Sequence, residues 1–298
     1  MAYYVNNKFN IKLKYAKAKG IKMIRIIADS SLDRTKEMKE DENIEIIPFI
    51  IDMDGKEWID NEEINMRSFM EEMGKAKNFK TACGSPHAFY TAMEEEGDVF
   101  GITITSKLSG SYNSAMVGKQ IYEEENPGKK KVHIFDSLSA SPGLTLIYLK
   151  IKQLREEGKA FEQIRSEVEA FIADMKTLFI SVSLENLRKG GRLSNIKAFL
   201  AKTLQLVPIM GARNGYIEVF ATVRGAENAF GKMVELMGEM RKNFSERIVA
   251  ISHADNEKQA LSLKKSIEEK LNAKKVYVFP MGALNTIYAD RQGIIVSF

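Results

Sequence analysis

Three short turns concentrate the hydroxyl chemistry of this chain. They are Thr81-Ala82-Cys83-Gly84-Ser85-Pro86, then Thr105-Ser106-Lys107-Leu108-Ser109-Gly110-Ser111-Tyr112, and Asp136-Ser137-Leu138-Ser139-Ala140-Ser141-Pro142-Gly143. Serine and threonine are compact hydrogen-bond donors, and free backbone N–H groups at a helix start favour an anion. A fourth segment, Lys189-Gly190-Gly191-Arg192-Leu193-Ser194, uses two glycines to deliver an arginine at the expected start of a helix. A guanidinium suits a planar carboxylate or phosphate. Each segment alone has a plainer reading, as a helix cap or a surface arginine. Their number argues for more, because hydroxyl turns after successive strands would gather on the rim where open α/β sheets bind ligands. The chemistry expected is the capture of a carboxylate or phosphate without a metal.

Other reactive groups are sparse. One cysteine, Cys83, excludes an internal disulfide and a cysteine-rich zinc site. His87, His133 and His253 are far apart and match no metal-ligand spacing. Gly190-Gly191-Arg192 is not a dinucleotide fingerprint, and Pro127-Gly128-Lys129-Lys130 lacks the spacing of a phosphate-binding loop. No serine lies in a GxSxG elbow. Asp29-Ser30-Ser31 follows a strand, as a phosphoryl-accepting aspartate would, but position 31 is serine where a second aspartate is needed. Capping is the simpler role for Asp29. No catalytic residue, metal or cofactor is expected. The rival reading, a hydrolase or phosphotransferase using Asp29 or a loop serine, requires a base or metal that the sequence does not show.

The elements that must position these turns alternate between strand and helix from Ile24 onward. Ile24 to Ala28, Val99 to Thr105 and Val132 to Phe135 read as buried strands. Ile46 to Ile51 reads as a strand placed at an edge or end by Pro48 and closed by the Asp54-Gly55 turn signal. Asn65 to Lys75, Pro86 to Glu96 and the face Leu144, Ile147, Tyr148, Ile151 and Leu154 read as helices. This pattern predicts a parallel, three-layer sheet over residues 23–175. Beyond it, Leu178 to Ser183 reads as a strand and Leu193, Ile196, Leu200, Leu204 and Val207 as one long amphipathic helix. Part of a hairpin at Gly215 to Val223 and strands at Ile248, Val276 and Ile294 complete a second α/β unit, 176–298.

A chain of 298 residues with 44% hydrophobic content can bury a core of two domains. No apolar run reaches the roughly 18 residues of a membrane span, and the first residues hold no hydrophobic h-region, so secretion through a signal peptide is not expected. The expected location is the cytoplasm, with no integral membrane association. Six lysines and no acid fall within residues 1–22, so the rest of the chain carries 38 bases against 40 acids. That balance argues against nucleic acid as a partner. Residues 1–22 read as a basic, poorly ordered extension or an upstream start, with Met23 as the natural first residue.

At these residues the chain resembles the DegV family of bacterial fatty-acid-binding proteins. Asp29-Ser30-Ser31 resembles its opening DST element, and Ile47-Pro48-Phe49 with Gly55-Lys56-Glu57, Trp58 and Asp60 resembles VPL…DGKEY.D. The three hydroxyl turns resemble TSQPSP, SSGLSGTY and DS.SAS.G, in that order. Leu184 to Ser194 resembles LEYLKKGGRIS, the most specific piece. The resemblance implies a two-domain fold, a three-layer α/β/α parallel-sheet domain and a two-layer α/β domain with a mixed sheet. It implies a long-chain fatty acid, palmitate for example, in a tunnel between them. Thr81, Thr105 and Ser106 would meet the carboxylate, with Arg192 near the head group. It also implies that some members present the acid to a separate kinase subunit, so the chain itself would be a non-catalytic lipid-binding protein. One departure stands out: Tyr288 occupies the place of a head-group histidine. Tyrosine can donate to a carboxylate but does not titrate near neutrality.

Overall fold

The computed structural model describes residues 23–41, 43–193 and 206–298. The β-rich run after Met23 forms β1 (Ile24–Asp29), which pairs in parallel with β2 (Ile44–Ile47) and β6 (Asp98–Thr103); β7 (Val132–Asp136) pairs with β6. The sheet order is β2-β1-β6-β7. Every residue of β6 is buried, as expected of a strand covered on both faces. On one face α3 (Pro86–Glu94) and α4 (Ser111–Glu125) pack Phe89, Met93 and Tyr122 against Ile27, Val99 and Ile134. On the other, α5 (Pro142–Glu156) and α6 (Phe161–Asp174) pack Leu144, Ile147, Ile151 and Val168 against Ile26, Phe100 and Ile102. This is the expected three-layer arrangement. Two short helices, α1 (Lys36–Lys39) and α2 (Met66–Met73), are capped by Thr35 and Asn65.

The strand expected over Ile46 to Ile51 is two strands in different sheets. β2 ends at Ile47, on the edge of the parallel sheet where Pro48 costs no ladder bond. Phe49 then turns its N–H to Ser30 Oγ (3.0 Å), and β3 (Ile50–Met53) opens a small antiparallel sheet with β4 (Lys56–Ile59) and β5 (Phe79–Ala82). The Asp54-Gly55 signal is its two-residue turn, with φ of 50° and 90°.

A mixed sheet has the order β10-β9-β8-β13-β11-β12, with β8 (Thr177–Ile180), β9 (Leu206–Arg213), β10 (Tyr216–Arg224), β11 (Ile248–His253), β12 (Lys275–Pro280) and β13 (Ile294–Ser297). α8 (Ala226–Met240) and α9 (Glu257–Leu271) cover one face through Met233, Met237, Leu263 and Ile267. α7 (Glu185–Lys189) and α10 (Ala283–Ala289) lie toward the other, where Phe179, Leu187, Met210 and Ile295 form a separate apolar cluster. The expected hairpin is β9–β10, closed by Asn214 and Gly215 at φ 50° and 82°. Val207, read as the end of the long helix, lies in β9. The rest of that helix, at 194–205, and the extension 1–22 fall outside the described residues.

Candidate functional site

The hydroxyl turns do not all follow one sheet. Those beginning at Thr105 and Asp136 follow the neighbouring parallel strands β6 and β7, whereas Thr81 belongs to β5 of the small antiparallel sheet. They still converge. A cavity of about 100 Å³, partly open to solvent, is lined by Thr81, Thr105, Arg192 and Tyr288, and by the apolar side chains Phe49, Phe179, Leu187, Ile217 and Ile295. Ser106 is not in the lining: it is half-buried, and its N–H donates to Asp136 Oδ1 (3.1 Å).

Tyr288 organises one corner. Its hydroxyl shares a 2.8 Å hydrogen bond with Thr81 Oγ1, and its ring meets Phe79 edge-on at 5.5 Å. The guanidinium of Arg192 lies 5.5 Å from the same ring centroid, a cation–π arrangement. Arg192 Nε donates to Leu108 O (3.1 Å), and its Nη1 donates to Gly190 O. Both glycines of the Gly190-Gly191-Arg192 motif gain a reason. A Cβ on Gly190 would stand 2.5 Å from Tyr288 Cε1, and Gly191 has φ 76°, a turn conformation that favours glycine. The motif therefore brings a cation onto the tyrosine face; the helix expected to follow it falls on 194–205, outside the described residues. Arg192 itself lies in a turn.

Thr105 is almost fully buried and already engaged. Its hydroxyl donates to Gly215 O (3.3 Å) at the tip of the β9–β10 hairpin and accepts from Lys107 N (3.2 Å). Its N–H donates to Ser139 O (2.9 Å), tying the second turn to the third. To donate to a ligand, this hydroxyl must leave the hairpin. Ser139 and Thr177, which also line the cavity, share a 2.7 Å hydrogen bond, and Thr177 continues to Ser297 at 2.8 Å.

The polar wall rests on buried carboxylates. Asp29 is neither exposed nor a helix cap: it accepts from Ser31 N (3.2 Å), Ile104 N (2.9 Å) and Ser111 Oγ (2.6 Å). Burial pushes its pKa up to about 7, against the opposing pull of these donors. Asp33 accepts from Gly282 N (2.7 Å), Asn285 Nδ2 (2.9 Å) and Ser141 Oγ, and burial pushes it up to about 6. Asp60 accepts from Ala283 N (2.8 Å) and Leu284 N (3.2 Å), and burial raises it too. Asp29 thus has no open side from which to act as a nucleophile. Among the described residues, no group of three or more His, Cys, Asp or Glu side chains could hold a metal ion. No helix among those residues is long and apolar enough to cross a membrane.

The sequence reading did not single out Thr177 or Asn285. A hydroxyl two positions before Phe179 on a buried strand, and an amide inside the apolar run Ala283 to Ile287, were the available signals.

A family model described as "Uncharacterised protein, DegV family" matches residues 23–297. A DegV domain-containing protein of Streptococcus gordonii is 30% identical over 279 residues, covering 92% of this chain and 98% of its own length. Among solved structures, a DegV family protein from Ruminococcus gnavus, described with vaccenic acid, aligns with a TM-score of 0.89 and 33% identity over 92% of this chain and 99% of that one. The Streptococcus pneumoniae Fatty Acid Kinase B3 protein, described as loaded with linoleic acid, aligns with a TM-score of 0.85 and 27% identity over 93% and 99%.

Proposed function

The chain belongs to the DegV family, and on that premise we propose that it binds a long-chain fatty acid in the cavity between its 23–175 and 176–298 parts, taken as two domains. The observation that carries this reading is one cavity with two characters. Phe179, Leu187, Ile217 and Ile295 offer an apolar wall, and Thr81, Tyr288 and Arg192 offer hydroxyls and a cation at a polar corner. A carboxylate there gains charge-assisted hydrogen bonds, while each buried methylene contributes about 0.8 kcal/mol. The likeness to the vaccenic-acid and linoleic-acid proteins supports the acyl class.

Thr81 and Tyr288 are the assigned donors to the carboxylate, Arg192 supplies the positive field, and Thr105 joins them when its bond to Gly215 opens. Ser106 contributes through its backbone tie to Asp136 rather than by direct contact. The chain works in the cytoplasm as a non-catalytic carrier and presents the acid to a separate kinase subunit, a role supported by the likeness to the kinase B3 protein. Mass spectrometry of lipid extracted from purified protein tests the reading. A stoichiometric long-chain acid supports it. Protein that yields no acyl chain and takes up none from solution refutes it.

A further inference from the structure

Thr105 and Tyr288 stand on elements 183 residues apart in sequence, yet they line one cavity. The loop after β1 joins them through an unbroken set of buried hydrogen bonds. From the Thr105 side, Ile104 N and Ser111 Oγ donate to Asp29, which also accepts from Ser31 N. Ser31 Oγ donates to Asn285 Oδ1 (3.1 Å), and Asn285 Nδ2 returns a bond to Ser31 O (2.9 Å). Asn285 Nδ2 also reaches Asp33, which holds Gly282 N at the start of α10 and Ser141 of the third turn. Asn285 itself lines the cavity, 5% exposed, three residues before Tyr288 and so on the same helix face.

We propose that Ser31 and Asn285, held by Asp29 and Asp33, are positioning residues that fix the distance between the Thr105 turn and the Tyr288 helix, and thereby the recognition of the carboxylate. This rests on the fatty-acid reading above. Two observations separate the role from general fold support. An apolar loop would have packed these positions without desolvating two carboxylates and an amide. The bonds also converge on two elements that present polar groups to the cavity, and a fully satisfied buried network is rigid. Asn285 has its acceptor and both amide hydrogens engaged, so its side chain has one orientation.

The test compares palmitate with methyl palmitate on delipidated full-length protein by titration calorimetry, with thermal melts as a fold control. The ester keeps the chain and loses the charge. Ser31→Ala and Asn285→Leu are expected to weaken palmitate about tenfold and to leave the ester within about twofold. Ser31→Ala removes only a hydroxyl and carries the test if Asn285→Leu does not fold. Asp33→Ala is expected to lose the same discrimination. The conservative Asp33→Asn restores most of it, since its amide oxygen still accepts from Gly282 and Asn285 while its NH2 faces Ser141. Equal losses for acid and ester, or no loss in Ser31→Ala, overturn the positioning role while leaving the fatty-acid reading intact. A wild type that binds neither ligand refutes that reading and this inference together.

Discussion

The two walls of the cavity are built from opposite physics. The wall from the mixed sheet is mainly apolar: Phe179 and Ile295 face each other on β8 and β13 in register, with Ile217 beside them, and its hydroxyl at Thr177 is tied to Ser139 and Ser297. The polar wall comes mainly from loops: the turn after β6, the Ser139 turn and the Arg192 turn, with Thr81 from β5 and Tyr288 from α10. Its groups are individually tied, Thr81 to Tyr288, Arg192 to Leu108, and Thr105 to Gly215. The first wall can supply most of the affinity because burial is additive along a chain. The second can supply discrimination, because a polar group left unpaired is costly. In the fatty-acid reading, the comparison separates what would hold the lipid from what would recognise its end.

Chain length should break that comparison most visibly. Shortening a saturated acid from sixteen to ten carbons is expected to weaken binding by up to about 5 kcal/mol, at roughly 0.8 kcal/mol per methylene. A flat dependence measured by calorimetry would mean that the apolar wall is not in contact with the chain. The next effect concerns the foundation of the polar wall. Because burial raises Asp29 to about 7, the folded protein keeps a proton that the unfolded chain releases near pH 4. Stability from this group is therefore full below that range and declines as pH rises through 7. Chemical denaturation at pH 5 and 7.5 should show wild type losing about 2 kcal/mol relative to Asp29→Asn across that interval. The same slope in both proteins would remove Asp29 as its source.

Arg192→Ala should cost palmitate about 2 kcal/mol, the scale of a charge-assisted bond, and leave methyl palmitate nearly unchanged. Equal losses for acid and ester would show that the guanidinium only packs against Tyr288. Thr81→Ala and Tyr288→Phe should each cost the acid about 1 kcal/mol. Since the two hydroxyls share a bond, the double variant should lose less than the sum. Strict additivity in a double-mutant cycle would deny their joint role. Ser106→Ala should be nearly silent, within about 0.5 kcal/mol, because its side chain lies outside the lining.

Much of this division could be read from local sequence. The run Ile24 to Ala28, the Asp54-Gly55 and Asn214-Gly215 turns, and the clustered hydroxyls report their own geometry, because short-range sterics and capping decide them. The two glycines before Arg192 marked a tight path, although not its cause, which is the ring of Tyr288 lying against Gly190. What stayed hidden depends on distant partners. Asp29 read as a cap because its donors at Ile104 and Ser111 lie 75 and 82 residues away. Asn285 gives no local sign of its role, because its partners Ser31 and Asp33 are more than 250 residues distant. Ile46 to Ile51 is uniformly apolar, so periodicity alone could not show that Pro48 and Phe49 hand the chain from one sheet to another.

The most direct test of the two-wall account is a crystal structure of the protein soaked with palmitate. The account predicts carboxylate oxygens within hydrogen-bond distance of Thr81 Oγ1 and Tyr288 Oη, with the chain lying against Phe179 and Ile295. A chain bound in the opposite direction, or outside this cavity, would contradict it.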